Sequence, residues 1–467
     1  MNKRKTVKAF TSFLLMGALA FSMSACGGNG STDNSIHEEP TFADDKSLTI
    51  GGWVGPSTYD DAQMKYLQES GVDTLYLLAD AYDVEGTKSQ LAALEKAGVS
   101  AYLAGGNSPD RIDAMEKYQD VPNLKGMTFD EPNRADIDAL SKYVAKYSSL
   151  ANGKNFFVNF FPSHWTGLES STEFNGNYEN YLQYGYDKLI SKSDTGEKWI
   201  SVDRYPLKED KDEKATDDYS PVTDDASLVV WDSGWLHDLE AAAILGNKYD
   251  LKTNFFIQTM PYLPSHNVMP TYEDIRMQLY TALAFGYDGV AEFCYGTPPI
   301  GKEFQKEQVA MIDREGNPTA IYKAAKKANS EVKKFDHAYL AFDWQGVFTN
   351  DAGKTITEKE RRTANTSFQN LVGRLDIADI DSVQSVYSSR DTLFGYFKDT
   401  KKRESFVVVN YNETRSAQSD IVRIAFDSKT YRYCVVYKGG EKKITELSNG
   451  MLELELEVGE GTFVIPY

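Results

Sequence analysis

The sequence predicts an α/β chain: a (β/α)8 TIM barrel followed by a small C-terminal antiparallel β-sandwich. Three observations lead there. From residue 47 the apolar pattern alternates strictly, eight times over, between short strand-like runs and amphipathic helix-like stretches. No G-x-G-x-x-G follows the first run, which counts against the main rival, an open doubly wound sheet. After about residue 338 the alternation gives way to short β-rich runs divided by turn signals such as Lys438-Gly439-Gly440 and Ser448-Asn449-Gly450.

Taken in order, the pattern predicts barrel strands at 48–53, 74–78, 100–103, 126–129, 156–160, 199–202, 254–257 and 289–293. Helices are predicted between them at 59–69, 87–97, 112–118, 134–150, 178–190, 236–247 and 272–285, with 318–335 after the eighth strand. The sandwich strands are predicted at 393–397, 405–410, 421–425, 431–437, 451–456 and 461–465. The charged stretch 354–362 reads as an exposed connection or a short helix.

Ahead of the barrel, Lys3, Arg4, Lys5 and Lys8 precede an apolar run, 13–21, that is too short to span a bilayer and ends in small residues. Met23-Ser24-Ala25-Cys26 resembles the lipobox of bacterial lipoproteins. That resemblance implies removal of the signal, lipidation of Cys26 and a place on the outer face of a bacterial membrane. Gly27-Gly28-Asn29-Gly30-Ser31 then reads as a flexible tether. The domain plan is a signal, 1–25; a tether, 26–46; a barrel, 47–340; and a connection with the sandwich, 341–467.

The 467 residues hold 50 Lys+Arg against 69 Asp+Glu, a net charge of −19. Cleavage before Cys26 leaves 46 basic residues against the same 69 acids, or −23. Such a surface repels phosphates, which excludes nucleic acid and anionic lipid as partners held by bulk charge and favours neutral or cationic ones. Twenty-nine Tyr, 24 Phe and 6 Trp suit either a large core or a cleft that stacks flat, hydroxyl-rich ligands. His164 and His237 do not have metal-ligand spacing, and H-E-x-x-H, paired cysteines, a G-x-S-x-G elbow and a Walker loop do not occur. No metal or cofactor is expected. Cys294 and Cys434 fall in different predicted domains and read as buried free thiols. The sequence leaves the oligomeric state open.

In a barrel of this kind the chemistry gathers at the carboxyl ends of the strands. Reading past each strand gives Trp53, then Asp80 and Asp83, then Asn107, then Asp130-Glu131-Pro132. The fifth to eighth strands give Asn159 with His164 and Trp165, Asp203-Arg204-Tyr205, Gln258 with Tyr262, and Glu292 with Tyr295. Carboxylates in a ring-lined mouth are what cleavage of a glycosidic bond needs: one protonated to serve the leaving oxygen, one ionised to attack or to activate water. A carbohydrate is the expected substrate. Glu131 stands out, with Met127 and Phe129 expected to alternate inward with it. Asp130 is expected to point the other way and cap the helix starting near Arg134. Asp203 reads equally as a catalytic group or as a prop for a loop or Arg204. Glu292 interrupts an apolar strand, so it must face the mouth or meet a partner. Expected substrate contacts are Trp53, Asp80, Asp130, Asn159, His164, Trp165, Tyr205, Gln258, Tyr262 and Tyr295.

Four segments in order, GMTFDEPN from Gly126, FVNFFP from Phe157, SVDRYP from Ser201 and QLYTALAFGYDGVAEF from Gln278, resemble the clan of barrel glycoside hydrolases that includes family 42 β-galactosidases and cellulase-like enzymes. The likeness covers roughly residues 47–340, and the all-β tail resembles the sandwich that often follows such barrels. The resemblance implies that Glu131 is the acid/base and that a Glu should end strand seven as nucleophile. Gln258 stands there instead, and a neutral amide cannot form the glycosyl ester. Either Glu292 or Asp203 then supplies the second catalytic carboxylate, or the chain is a catalytically inactive carbohydrate-binding lipoprotein.

Overall fold

Each of the eight predicted runs becomes a parallel strand of one closed barrel: β1 (Thr49–Trp53), β2 (Thr74–Leu77), β3 (Ser100–Leu103), β4 (Leu124–Asp130), β5 (Asn155–Phe160), β6 (Trp199–Asp203), β7 (Lys252–Gln258) and β8 (Gly289–Phe293). They follow one another round the ring, β8 closing on β1. The structure, a computed structural model, describes residues 38–209, 229–232, 234–356, 365–415 and 418–467. The expected signal and Cys26 lie outside them. Among the described residues, no helix is long and apolar enough to cross a membrane.

The barrel runs are nearly continuous in apolar residues because helices cover their outer face while rings fill the inner one. Tyr76, Tyr102, Phe157, Trp199 and Phe256 pack together in the lumen. Tyr76 stacks on Tyr102 at 5.4 Å and leans on Phe256 at 5.0 Å. Gly51 makes this possible, since a Cβ there would stand 2.7 Å from the Tyr76 ring and 2.9 Å from Ala291.

The covering helices depart from expectation in two places. The helix predicted over 134–150 is two, Arg134–Ser141 and Val144–Leu150, and the one over 112–118 is a longer 3-10 segment, Pro109–Tyr118, with proline in its first turn. A two-stranded ribbon, Leu207–Glu209 with Val229–Trp231, follows β6.

The C-terminal part is two antiparallel sheets. One has six strands, ordered Asp343–Asn350, Thr392–Lys398, Glu404–Asn410, Gly461–Pro466, Tyr433–Lys438 and Glu441–Glu446. The other has four: Thr355–Ile356, Val383–Ser388, Asp420–Phe426 and Met451–Leu456. The six-stranded sheet is apolar on both faces. Leu393, Phe397, Val407, Val409 and Phe463 join the barrel's outer core, while Phe394, Tyr396, Phe406, Val408 and Val464 pack on the four-stranded sheet. Each such side chain stabilises the fold by about 1.5–3 kcal/mol. Gly395 lets the sheet touch the end of helix Tyr272–Ala284, for a Cβ there would meet the Ala284 carbonyl at 2.2 Å.

Strands Asp343–Asn350, Thr355–Ile356, Val383–Ser388 and Glu441–Glu446 were not foreseen; the second opens the charged stretch 354–362, expected as a connection or short helix, whose remainder from 357 lies outside the described residues. Gly346 shifts the register of the first, and the last buries none of its residues, so neither shows regular alternation. The described end of the expected tether is not free. The Phe42 ring lies 5.5 Å from Phe342 with Arg403 over it at 4.7 Å, and Lys46 Nζ donates to the Leu340 carbonyl at 2.9 Å. Cys294 and Cys434 are both free thiols, buried in separate clusters.

Candidate active site

The mouth is set by which residues of each strand point inward. Along β4, Met127 and Phe129 face the helices, not the lumen. Phe129 stacks on Phe156 at 4.4 Å and meets Tyr147 edge-on at 6.5 Å. Thr128 and Asp130 therefore take the inner parity, which reverses the expected arrangement. Asp130 caps nothing. Helix Arg134–Ser141 starts instead at Asn133, whose side chain accepts from the Asp136 amide while Asp136 accepts from that of Asn133. Glu131 lies one residue past the strand with φ +47°, its amide donating to the Asn159 carbonyl at 2.7 Å. That left-handed conformation costs a non-glycine residue about 1–2 kcal/mol and turns Glu131 over the mouth.

A chain of hydrogen bonds runs from the lumen to the acids. Asn254 Nδ2 donates to Ser201 Oγ at 3.0 Å, and Ser201 Oγ donates to Asn159 Oδ1 at 2.8 Å. Asn159 Nδ2 then donates to Asp130 Oδ1 at 3.1 Å and to Asp203 Oδ1 at 3.2 Å. One amide nitrogen thus gathers two carboxylates under Glu131, above a cleft of about 320 Å³.

The acids raise one another. Burial, then the charges of Asp203, Asp130 and Glu303, push Glu131 well above the carboxylate range. Burial and Asp130 likewise raise Asp203, against hydrogen bonds from Asn159 and Tyr205. Asp130 is pushed up to about 6, mainly by burial. Carboxyl groups held protonated near neutrality can donate to a leaving oxygen.

Rings form the walls. Tyr205 stacks on Phe293 at 4.8 Å, Tyr262 meets Phe293 edge-on at 5.9 Å, and Trp53 meets Phe256 edge-on at 5.6 Å. His164 also lines the cleft, and burial lowers its pKa. Arg204 reaches the cleft wholly engaged. Its guanidinium grips Asp232 through Nε at 2.9 Å and Nη2 at 2.6 Å, and its Nη1 bonds Asp238 at 2.9 Å and Ser163 at 2.6 Å.

Trp53, Asp130, Glu131, Asn159, His164, Asp203, Tyr205 and Tyr262 thus converge, and five other expected site residues do not. Asp80 is exposed and accepts from the Tyr82 amide at 2.9 Å. Trp165 stacks on Phe161 at 4.5 Å, facing Tyr181. Tyr295, two residues past the end of β8, is fully buried in the barrel's outer core. Glu292 is fully buried on the helix side, where Asn329 Nδ2 donates to its Oε1 at 2.9 Å, so of the two options open to it the partner holds. Burial raises it to about 8. Gln258 spends its amide on the rim: Oε1 accepts from the Leu207 amide and from Asn267 Nδ2, both at 3.1 Å, and Nε2 donates to the Val268 carbonyl at 2.7 Å.

Glu303 and Phe304, on the loop after β8, also line the cleft without having been singled out from the sequence, as do Leu78, Pro162, Lys208, Phe256 and Asn267. Phe293 was legible as the inner-facing end of β8 once the parity was known. Among the described residues, no group of three or more His, Cys, Asp or Glu is arranged to hold a metal ion.

No family model and no curated protein matches this sequence. Solved structures do match its fold. A structure named "Glycoside hydrolase" aligns over 90% of this chain and 92% of its own, at 11% identity and a TM-score of 0.50. A family 39 glycoside hydrolase from the gut symbiont Bacteroides cellulosilyticus WH2 aligns over 90% and 81% at 12% identity, TM-score 0.46. A family 5 glycoside hydrolase from Bacteroides vulgatus ATCC 8482 aligns over 90% and 89% at 10% identity, TM-score 0.48. At such identities the likeness is one of fold. The fold shared is a barrel with a trailing sandwich, and these solved structures are glycoside hydrolases by name.

Proposed function

We propose that the chain is an exported glycoside hydrolase of an oligo- or polysaccharide, with Glu131 as general acid. The observation that carries this reading is the convergence of Asp130, Glu131 and Asp203 on one aromatic-walled cleft at the carboxyl end of a barrel. A protonated Glu131 serves the leaving oxygen, and a second carboxylate of the cleft serves the other face of the sugar. Asp203 is the sequence's candidate for that role. The flat walls of Tyr205, Tyr262 and Trp53 pack against sugar C–H faces. A screen of glycans for new reducing ends tests the reading, with Glu131→Gln as control. The parent should release them and the variant should not, while its ligand affinity stays within a few-fold.

A second reading, a catalytically inactive carbohydrate-binding protein, is favoured by one observation. Strand seven ends in a neutral amide whose oxygen accepts two hydrogen bonds from the rim and whose nitrogen donates one to it. Tight glycan binding with no reducing ends released on any substrate would decide for it.

The N-terminal motif supports anchorage through a lipidated Cys26 on the outer face of a bacterial membrane. Replacing Cys26 by Ala should move the protein from the membrane to the soluble fraction; an unchanged membrane fraction would refute the anchor.

A further inference from the structure

We propose that Glu303, on the loop after β8, is the carboxylate that works opposite Glu131, as the base that takes a proton from the attacking water. This rests on the glycosidase reading above. The ring order carries the argument. In a closed barrel of eight consecutive strands, β4 and β8 stand on opposite sides, so Glu131 and the root of the loop bearing Glu303 lie opposite one another, and both residues line the one cleft. Inverting hydrolysis needs this: an acid on the leaving-group side and a base with room for water on the other. Asp130 ends the strand that Glu131 directly follows. Asp203 stands only two strands away, is 8% exposed and is tied to Asn159. Neither comes from the strand opposite β4.

Glu303 is placed for the task by the loop after β7 and by its own loop. Tyr262, just past β7, donates its hydroxyl proton to Glu303 Oε1 at 2.7 Å. Oε2 has no hydrogen bond among the described residues, and the side chain is open to solvent. Arg314 pins the loop by donating to the carbonyls of Pro298 at 2.8 Å, Gln305 at 3.0 Å and Lys306 at 3.1 Å. Phe304 holds the next position against Tyr262 at 6.1 Å. The charge of Glu303 is also among the causes that raise Asp130 and Glu131, so the groups share one field.

In the step, the water oxygen bonds to the anomeric carbon as the glycosidic C–O bond breaks. The water proton goes to Glu303, and the Glu131 proton goes to the leaving oxygen. Solvent then takes the proton from Glu303 and returns one to Glu131, and the new reducing end has the inverted configuration.

The test compares the parent, Glu303→Gln, Asp203→Asn and Glu131→Gln on an oligosaccharide and on an aryl glycoside whose leaving group needs no proton. Product configuration is followed by NMR, with and without azide. Glu303→Gln should lower turnover about 10²–10⁴-fold on both substrates with KM near the parent's, and azide should restore turnover as the inverted glycosyl azide. Glu131→Gln should lose the oligosaccharide and keep the aryl glycoside. Because Glu303 is exposed, the variant's thermal midpoint should match the parent's. Near-parent turnover in Glu303→Gln, loss with azide rescue in Asp203→Asn instead, or a retained product would each overturn the assignment and leave the glycosidase reading standing. A parent inert on every glycan would overturn both.

Discussion

Ser201 Oγ donates to Asn159 Oδ1 at 2.8 Å, and this contact decides which end of the amide faces the acids. With Oδ1 held by the hydroxyl, Nδ2 must point at Asp130 and Asp203. Ser201→Ala removes the hydrogen bond that, among the described residues, distinguishes the two ends of the amide from below. We expect turnover about tenfold lower, because a flipped amide would aim an oxygen at two carboxylates. Asn159→Ala should act more strongly. Asn159 lowers both acids, so its loss raises them further and shifts the acid limb of the pH–rate profile upward. A profile that does not move would show that neither acid's ionisation matters to the rate.

Glu292→Gln should leave activity within about twofold and change stability with pH. The folded chain holds this carboxyl at about 8 against an ordinary value of 4.5, so it binds a proton more tightly folded than unfolded. Its contribution is therefore present below about pH 4.5 and lost as pH rises through 8. Gln cannot ionise, and its Oε1 still accepts from Asn329. The variant should gain on the parent steadily across that window, by roughly 2–5 kcal/mol at pH 9, read from urea midpoints. Parallel curves would refute the buried, protonated state.

Gln258→Glu should destabilise without creating a nucleophile. A carboxylate keeps the acceptor for the Leu207 amide but has no donor for the Val268 carbonyl, leaving two oxygens face to face in a buried rim. We expect a loss of about 1–3 kcal/mol and no gain in turnover. A more active variant would mean that this side chain swings into the cleft.

The five rings expected at the mouth should divide into two groups. Trp53, Tyr205 and Tyr262 line the cleft, whereas Trp165 and Tyr295 do not. Ala at each of the first three should weaken oligosaccharide binding about 3- to 30-fold by titration. Ala at Trp165 or Tyr295 should cost stability and leave the affinity of the folded fraction unchanged. Equal losses at all five would place the platform elsewhere.

The barrel was legible because every β/α unit repeats the same switch of period, and the strand positions follow to within two residues. What the pattern could not give was facing. In a strand buried on both sides, large apolar residues mark neither face, so Met127 and Phe129 looked inward when the polar pair Thr128 and Asp130 held that parity. Glu292 was read correctly only as a residue that must be compensated. Glu303 left no signal at all. It sits ten residues beyond β8 in a loop rich in charge, and only the fold of that loop brings it over the mouth.

Apart from its edge strand Glu441–Glu446, the six-stranded sheet buries residues on both faces. One side belongs to the barrel and the other to its companion sheet, so the two halves of the chain share a wall. A gene fragment ending after the last barrel helix would encode a protein with a sticky flank, and a transplanted sandwich would have to bring its own gap opposite Ala284, where Gly395 now fits. Recombination can therefore exchange mouth loops freely, while the barrel and its tail must be inherited together.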